Sequence, residues 1–268
     1  MFYRQTFGAI AITGTLLAPW CAHAFFPFIT DDTGTQGSGT NQVELIYEHS
    51  REHNGVFDLD DRVIGTESSV SNVVPASWAY GVSDNLDVFA GVARQLNQPR
   101  GWLNTEVGLK WVFWGDQTRG WSAAIKPALL IPVSSAMQAR GLGNARTNAA
   151  VALVGSYMAP SHELHLNVAY TGNRSSEPMS EESERRNLWR VSVAPIYVIN
   201  DDWKAGFDLG LQTNPTQASR YQAVASIGVQ YAATDSLQLG VGLIGTAPIN
   251  ANEKSWGYAL TTGLTYQF

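Results

Sequence analysis

From about residue 40 onward the chain alternates apolar and polar residues with a period of two. In "WKAGFDLGLQT", Trp203, Ala205, Phe207, Leu209 and Leu211 share one phase, and Lys204, Gly206, Asp208, Gly210 and Gln212 share the other. Successive side chains of an extended strand point to opposite faces, so this pattern makes one oily and one polar face. "GWLNTEVGLKWVFW", "ELHLNVAYT", "RYQAVASIGVQYA" and the last stretch, "SWGYALTTGLTYQF", repeat it. About twelve such strands are predicted, over 41–51, 68–80, 86–96, 101–114, 120–133, 146–158, 163–173, 188–199, 203–213, 220–232, 236–246 and 256–268. No long stretch has helical periodicity.

Alternating strands bury the oily face in a soluble sandwich or turn it to lipid in a transmembrane barrel. Three features favour lipid. The polar phase is rich in Gly, Ser, Ala, Asn and Gln; charged residues make only 15% of the chain, against about 25% in a soluble domain. Aromatics such as Trp78, Trp111, Trp121, Trp203, Tyr231 and Tyr266 sit near strand ends on the oily phase, where an interfacial girdle belongs. The strands are long enough to cross a thin hydrocarbon layer at a tilt. The links also alternate. "GVSDN", "GDQTR", "APSH", "NDD" and "ATDS" are tight turns, whereas 52–67, 134–145, 174–187 and 247–255 are longer and more polar; "NQPR" at 97–100 is short and breaks the trend. Short turns at one end and long loops at the other mark an outer-membrane barrel. The predicted fold is therefore all-β, a transmembrane antiparallel up-and-down barrel with both termini in the periplasm.

Residues 1–24 read as a cleaved signal peptide: Arg4 is the positive start, "FGAIAITGTLLAPW" the apolar run, and Ala22-His23-Ala24 the cleavage site. The single cysteine, Cys21, precedes the cut, so the mature chain is expected to hold no disulfide or thiolate site. The formal net charge of −6 argues against a nucleic-acid partner. Residues 25–40 form a periplasmic segment, a plug or a turn, ahead of the barrel at 41–268. The terminal strand must close on the first, because an open edge leaves unpaired backbone groups in lipid. Its aromatics, ending on Phe268, resemble the signal read by barrel-insertion machinery.

"FPFITDDTGTQGSGTNQVELIYEHSRE" at 26–52 resembles the opening of the MetA-pathway-of-phenol-degradation family of outer-membrane proteins. The matching positions are Pro27, Thr30, Asp31, Asp32, Gly34, Thr35, Gly37, Gly39 and Glu44, and "YGVSDNLDVFAG" at 80–91 resembles the family's second-to-third strand turn. The resemblance implies an outer-membrane channel or porin-like protein. Read on its own chemistry, "TDDTGTQG" is either an Asx-rich turn or a plug whose carboxylates hold a cation or a lumen arginine. Adjacent Asp side chains diverge in an extended chain, which disfavours a two-carboxylate metal site.

The lumen phase carries Glu44, Glu48, Glu106, Lys110, Lys126, His165, Arg190, Lys204, Asp208 and Arg220. These either fill the barrel with cross-strand ion pairs or set its selectivity. Glu106 and Lys110 are too far apart along a strand to pair, so Lys126 is matched with Glu106 or Lys110, and Lys204 with Arg190 or Asp208. No cofactor, metal or catalytic site is expected. There is no G-x-S-x-G elbow, and Glu48, His49, Glu52 and His53 are the nearest approach to an omptin-like acidic rim. The run "EESERR" at 181–186 reads as a solvated external loop or a contact with lipopolysaccharide through divalent ions. The expected function is passive passage of small molecules, aromatic or hydrophobic ones among them, across the outer membrane. The alternatives are a phospholipase- or omptin-like barrel hydrolase, or a structural or surface-interaction barrel that transports nothing.

Overall fold

The computed structural model describes residues 26–57, 63–176, 185–215, 219–249 and 255–268. The signal peptide and "EESERR" as far as Glu184 lie outside these residues. Twelve long strands run in chain order: β1 (Asn41–Phe57), β2 (Val63–Ser83), β3 (Leu86–Gln95), β5 (Thr105–Gly115), β6 (Gly120–Ile131), β7 (Asn148–Met158), β8 (His162–Gly172), β9 (Asn187–Val198), β10 (Trp203–Thr213), β11 (Tyr221–Thr234), β12 (Leu237–Pro248) and β13 (Trp256–Gln267). A two-residue strand, β4 (Gly101–Trp102), and one short helix, α1 (Ser135–Gln138), are the remaining described elements.

Each long strand pairs antiparallel with its sequence neighbour, and β1 pairs with β13 from Gln42↔Gln267 to His53↔Trp256. The ring is thereby closed, and the N–H of Asn41 donates to the Phe268 carbonyl at 2.8 Å while the Phe268 N–H donates back at 2.9 Å. Closure satisfies the edge groups that lipid could not.

The oily phase faces out. Leu209 is 51% exposed and its neighbour Asp208 is 1% exposed, and burial flips at each step from Phe207 to Gln212 of β10. Two girdles of aromatics bound this outer surface. At the turn end Trp203 stacks on Tyr231 with ring centroids 4.6 Å apart, and Trp121 packs on Tyr157 at 5.2 Å. At the loop end Tyr170 packs on Trp189 at 4.9 Å and His53 stacks on Trp256 at 4.1 Å. Amphipathic rings favour such interfaces, with an apolar band between them.

Turn chemistry fixes the tight end. Asp116 accepts from the Thr118 N–H and hydroxyl at 2.8 and 2.7 Å, and that hydroxyl holds its carboxyl below the usual carboxylate range. Gly115 and Gly120 flank this turn with φ of 86° and 76°, a left-handed region that suits glycine. Asn200 Oδ1 accepts from the N–H groups of Asp202 and Trp203 at 3.0 and 2.9 Å.

Two expectations at the loop end are corrected. The link at 52–67 is largely strand, because β1 and β2 continue to Phe57 and from Val63. The strand at 101–114 is interrupted between β4 and β5. There the buried Asn104 side chain leaves the ladder pattern and donates to the carbonyls of Ile131 and Asn144, at 2.9 and 2.8 Å. The link at 134–145 is folded, with Gln138 of α1 donating to Ser175 at 2.7 Å and tying it to the next loop.

Candidate functional site

Residues 26–34 lie inside the ring rather than ahead of it, and the segment emerges at the turn end, where Ser38 and Gly39 are exposed. Phe28, Thr30, Asp31 and Thr33 are all buried, and their partners are inward-facing side chains of successive strands. The chain enters beside β11 and β12, where the Gln230 amide donates to the Phe26 carbonyl. Pro27 and Phe26 press on the wall at Gly242 and Gly240. A Cβ at Gly242 would lie 2.9 Å from Pro27 Cβ, and one at Gly240 would lie 2.7 Å from Phe26 Cδ1, so side chains there would displace the segment. Phe28 packs with Ala194 and Ile196 of β9.

The segment then crosses the lumen on polar contacts. Asp208 Oδ2 of β10 accepts from the N–H groups of Ile29 and Thr30 at 2.9 and 2.5 Å, and the Thr30 hydroxyl donates to Ser192 of β9 at 2.7 Å. Asn167 of β8 donates to the Asp31 carbonyl at 3.2 Å. The Thr33 N–H donates to Ser156 Oγ of β7 at 3.0 Å, and the Thr33 and Ser122 hydroxyls meet at 2.6 Å. The segment leaves by the turn end, where Thr35 bonds Gln117 and the Gly39 N–H donates to the Gly81 carbonyl at 2.8 Å.

Its centre is an ion cluster. Lys126 Nζ of β6 lies 2.6 Å from Asp31 Oδ2, and Lys110 Nζ of β5 lies 3.4 Å from Asp31 Oδ1 and 3.1 Å from Asp32 Oδ1. The adjacent carboxylates converge because the chain bends: the Asp32 N–H donates to Asp31 Oδ1 at 2.9 Å, and the Gly34 N–H donates to Asp32 Oδ1 at 2.8 Å. The Asx turn and the cation clamp are one structure, and the cations are lysines rather than an arginine. Gly37 follows with φ of 81°, which turns the segment toward β1.

Other predicted residues have different partners from those expected. Lys126 takes a carboxylate of the plug, that of Asp31, as a partner. Lys204 Nζ reaches Glu163 Oε1 of β8 at 2.7 Å, not Asp208, whose carboxylate serves the plug backbone. Arg190 donates through Nε to Gln212 Oε1, its cross-strand partner, at 3.0 Å. Glu44 accepts the Thr265 hydroxyl at 3.3 Å, and Glu48 and Glu106 are buried. Arg220 is not in the lumen: it is exposed just before β11, with its guanidinium 5.3 Å from the Tyr221 ring centroid. The acidic-histidine rim is also split. Glu48 and Glu52 are buried inside, while His49 and His53 take the other phase, His49 bonding Asn72 and His53 stacking on Trp256. Period two makes one cluster of the four impossible.

Sequence reasoning missed Glu163, Ser156, Ser122 and Ser192. Glu163 shares the phase of His165, two residues on, and that parity was its signal. The serines gave none, being small polar residues among many on the same face. Together Ser156 Oγ lies 2.9 Å from His165 Nδ1, and His165 Nε2 lies 3.3 Å from Glu163 Oε2.

No curated protein matches the chain at a significant level. Among solved structures, the COG4313 outer membrane channel from Pseudomonas putida F1 is similar, with 12% identity, TM-score 0.68, and coverage of 88% of this chain and 98% of that one. The NanC porin is similar at 12% identity and TM-score 0.57, covering 82% of this chain and 98% of its own. The KdgM porin in complex with disordered oligogalacturonate is similar at 12% identity and TM-score 0.54, covering 84% and 99%. At these identities the likeness is one of fold, that of the outer-membrane β-barrels. A family model, "Putative MetA-pathway of phenol degradation", matches residues 27–268, and the chain belongs to that family.

Proposed function

We propose that this protein is an outer-membrane channel for passive passage of small molecules, with residues 26–40 as a movable constriction. The observation that carries the reading is the Asp31 clamp, in which a segment threaded through the lumen is held by side chains of the wall instead of by the ladder. Backbone ladders open at the cost of the barrel, whereas a side-chain clamp opens alone. The inner wall supports it. Ser77, Thr171 and Ser226 are buried yet have hydroxyls with no protein partner among the described residues, which suits a hydrated passage. Apolar clusters interrupt that polar wall, with Phe89 beside Ala79 and Ala128, and Val112 beside Ala124 and Val154. Such a lining favours small solutes with an apolar or aromatic part. Asn41, which opens β1, and Phe268 meet at the turn end of the barrel, which we assign to the periplasm because short turns mark that side. The known porins of similar fold agree with passage and leave the solute open.

The test is planar-bilayer conductance of the intact protein and of a chain lacking residues 26–36. Deletion is expected to raise single-channel conductance several-fold. Equal conductance would remove the constriction from the account.

A hydrolase reading has one observation in its favour, the Ser156–His165–Glu163 chain. Two features count against it. Ser156 Oγ is occupied by the Thr33 N–H, and the surrounding strand N–H groups are spent in the ladder, leaving none to stabilise an oxyanion. Ester or phospholipid hydrolysis that disappears in Ser156→Ala would restore it.

A further inference from the structure

A line of acids climbs the lumen face of β1 and β2 from the plug to the loop end. Glu44 stands within electrostatic reach of Asp31 and Asp32, Glu48 follows four residues on, and Glu52 four further. Glu67 of β2, in the inward phase of Ser71 and Val73, faces Asn54 and continues the line. Exposure grows along it, from 4% at Glu48 to 9% at Glu52 and then to the exposed Glu67. We infer that Glu48 is the binding residue of a site for the protonated amine of a solute entering from the loop end. The inference rests on the channel reading and gives it a substrate class.

Glu48 itself points to a ligand. It is buried, yet it has no hydrogen-bond or ion-pair partner among the described residues. The charged group that bears on it is another acid, Glu52. Its cross-strand neighbours are Val73 and Thr261, and the Thr261 hydroxyl donates to the Gly242 carbonyl at 3.3 Å instead. Ser71 Oγ, one inward row nearer the loop end, is also buried without a partner. A buried carboxylate is costly until a donor or a cation completes it.

The surrounding wall supplies no cation. On β12, β13, β1, β2 and β3 the described inward residues include no lysine, arginine or histidine, and Arg51 and Arg94 take the outward phase. The bases of the lumen stand on β5, β6, β9 and β10. Of these, Lys110, Lys126 and Lys204 already hold Asp31, Asp32 and Glu163.

Spacing selects the kind of cation. Four residues of strand separate successive glutamates of β1 by about 13 Å. Calcium gathers several oxygens at about 2.3–2.6 Å, so carboxylates at this spacing make a poor cage for one ion. Among the described residues no three His, Cys, Asp or Glu side chains form a metal-holding group. An ammonium carries its charge at one point with three donors, and one carboxylate with a nearby hydroxyl suits it. Val73, buried opposite Glu48, and Ile46 offer an apolar surface to the carbon skeleton of the amine.

The test titrates the full-length barrel in detergent with phenethylammonium by isothermal titration calorimetry, with phenylacetate and phenethyl alcohol as anionic and neutral counterparts. Phenethylammonium is expected to bind at least tenfold more tightly than the other two. Glu48→Gln is expected to lose that preference. Glu48→Asp keeps the charge on a shorter arm and is expected to retain the preference with about threefold weaker binding. Asp235→Asn removes a carboxylate from an exposed turn and is expected to change nothing. Heat-modifiable gel mobility checks folding, and Glu48→Asp with the three-probe comparison serves if Glu48→Gln does not fold. Equal binding of the three probes, a preference kept in Glu48→Gln, unweakened binding in Glu48→Asp, or equal loss in Asp235→Asn overturns the site. Displacement of phenethylammonium by micromolar calcium overturns the amine as its ligand. Conductance of phenethylammonium in planar bilayers is read separately. Binding without conductance keeps the site and overturns the passage, whereas conductance without binding overturns the site alone.

Discussion

Lys126 on β6 holds its ammonium 2.6 Å from one oxygen of Asp31, while Lys110 on β5 approaches the other oxygen at 3.4 Å. Two wall strands thus grip one carboxylate of a segment that belongs to neither. The Asp31 and Lys126 side chains are 10% and 9% exposed, so water screens the pair little. Asp31→Ala would remove the carboxylate that bridges the two lysines, while Lys110 keeps Asp32 at 3.1 Å. Breaking such a buried pair costs about 3–5 kcal/mol. The expected outcome is a large rise in open probability in planar bilayers, with barrel unfolding in urea little changed.

Asp208 grips the same segment by its backbone, accepting two N–H groups through one oxygen. Hydrogen bonds to a charged group contribute roughly 1.5–3 kcal/mol each. Asp208→Ala is expected to loosen the segment near Ile29 and Thr30. Faster amide exchange at those two positions, with the strand amides of β10 unchanged, is the reading to look for.

Much of the barrel is legible in the sequence, because period two is a direct consequence of strand geometry. Leu209 and Asp208 took opposite faces from their positions alone. The path of residues 26–40 was not legible. That segment has no periodicity, and its partners Asp208, Ser192, Ser156 and Ser122 stand on four different strands that only the closed ring brings near it. The resemblance marked Asp31 and Asp32 as worth attention, but strand phase offered Lys126 only Glu106 or Lys110 and offered Lys110 no carboxylate. Pairing by neighbouring strands missed contacts made through the middle of the lumen.

Gly240 gives a steric test of the same segment. A side chain there points at the Phe26 ring, so Gly240→Val is expected to push the segment off the wall. Conductance should rise while the heat-modifiable gel shift is kept. An unchanged trace would mean that the segment accommodates the methyl groups without leaving.

The outward phase is tested at Leu209. Leu209→Arg is expected to lower unfolding stability in lipid vesicles by about 2–4 kcal/mol, the cost of a cation at mid-depth. Leu209→Phe keeps the surface apolar and is expected to change it by under about 1 kcal/mol.

The central claim is that the threaded segment governs the passage, and the Thr33–Ser122 contact offers a lock for it. These hydroxyls lie 2.6 Å apart, so Thr33→Cys with Ser122→Cys, in a Cys21→Ser background, places two thiols within bonding reach. Single-channel conductance of this variant should be low and quiet when oxidised, and should rise to the unlocked level on adding dithiothreitol. The same conductance before and after reduction, with the disulfide verified by mass, would contradict the account.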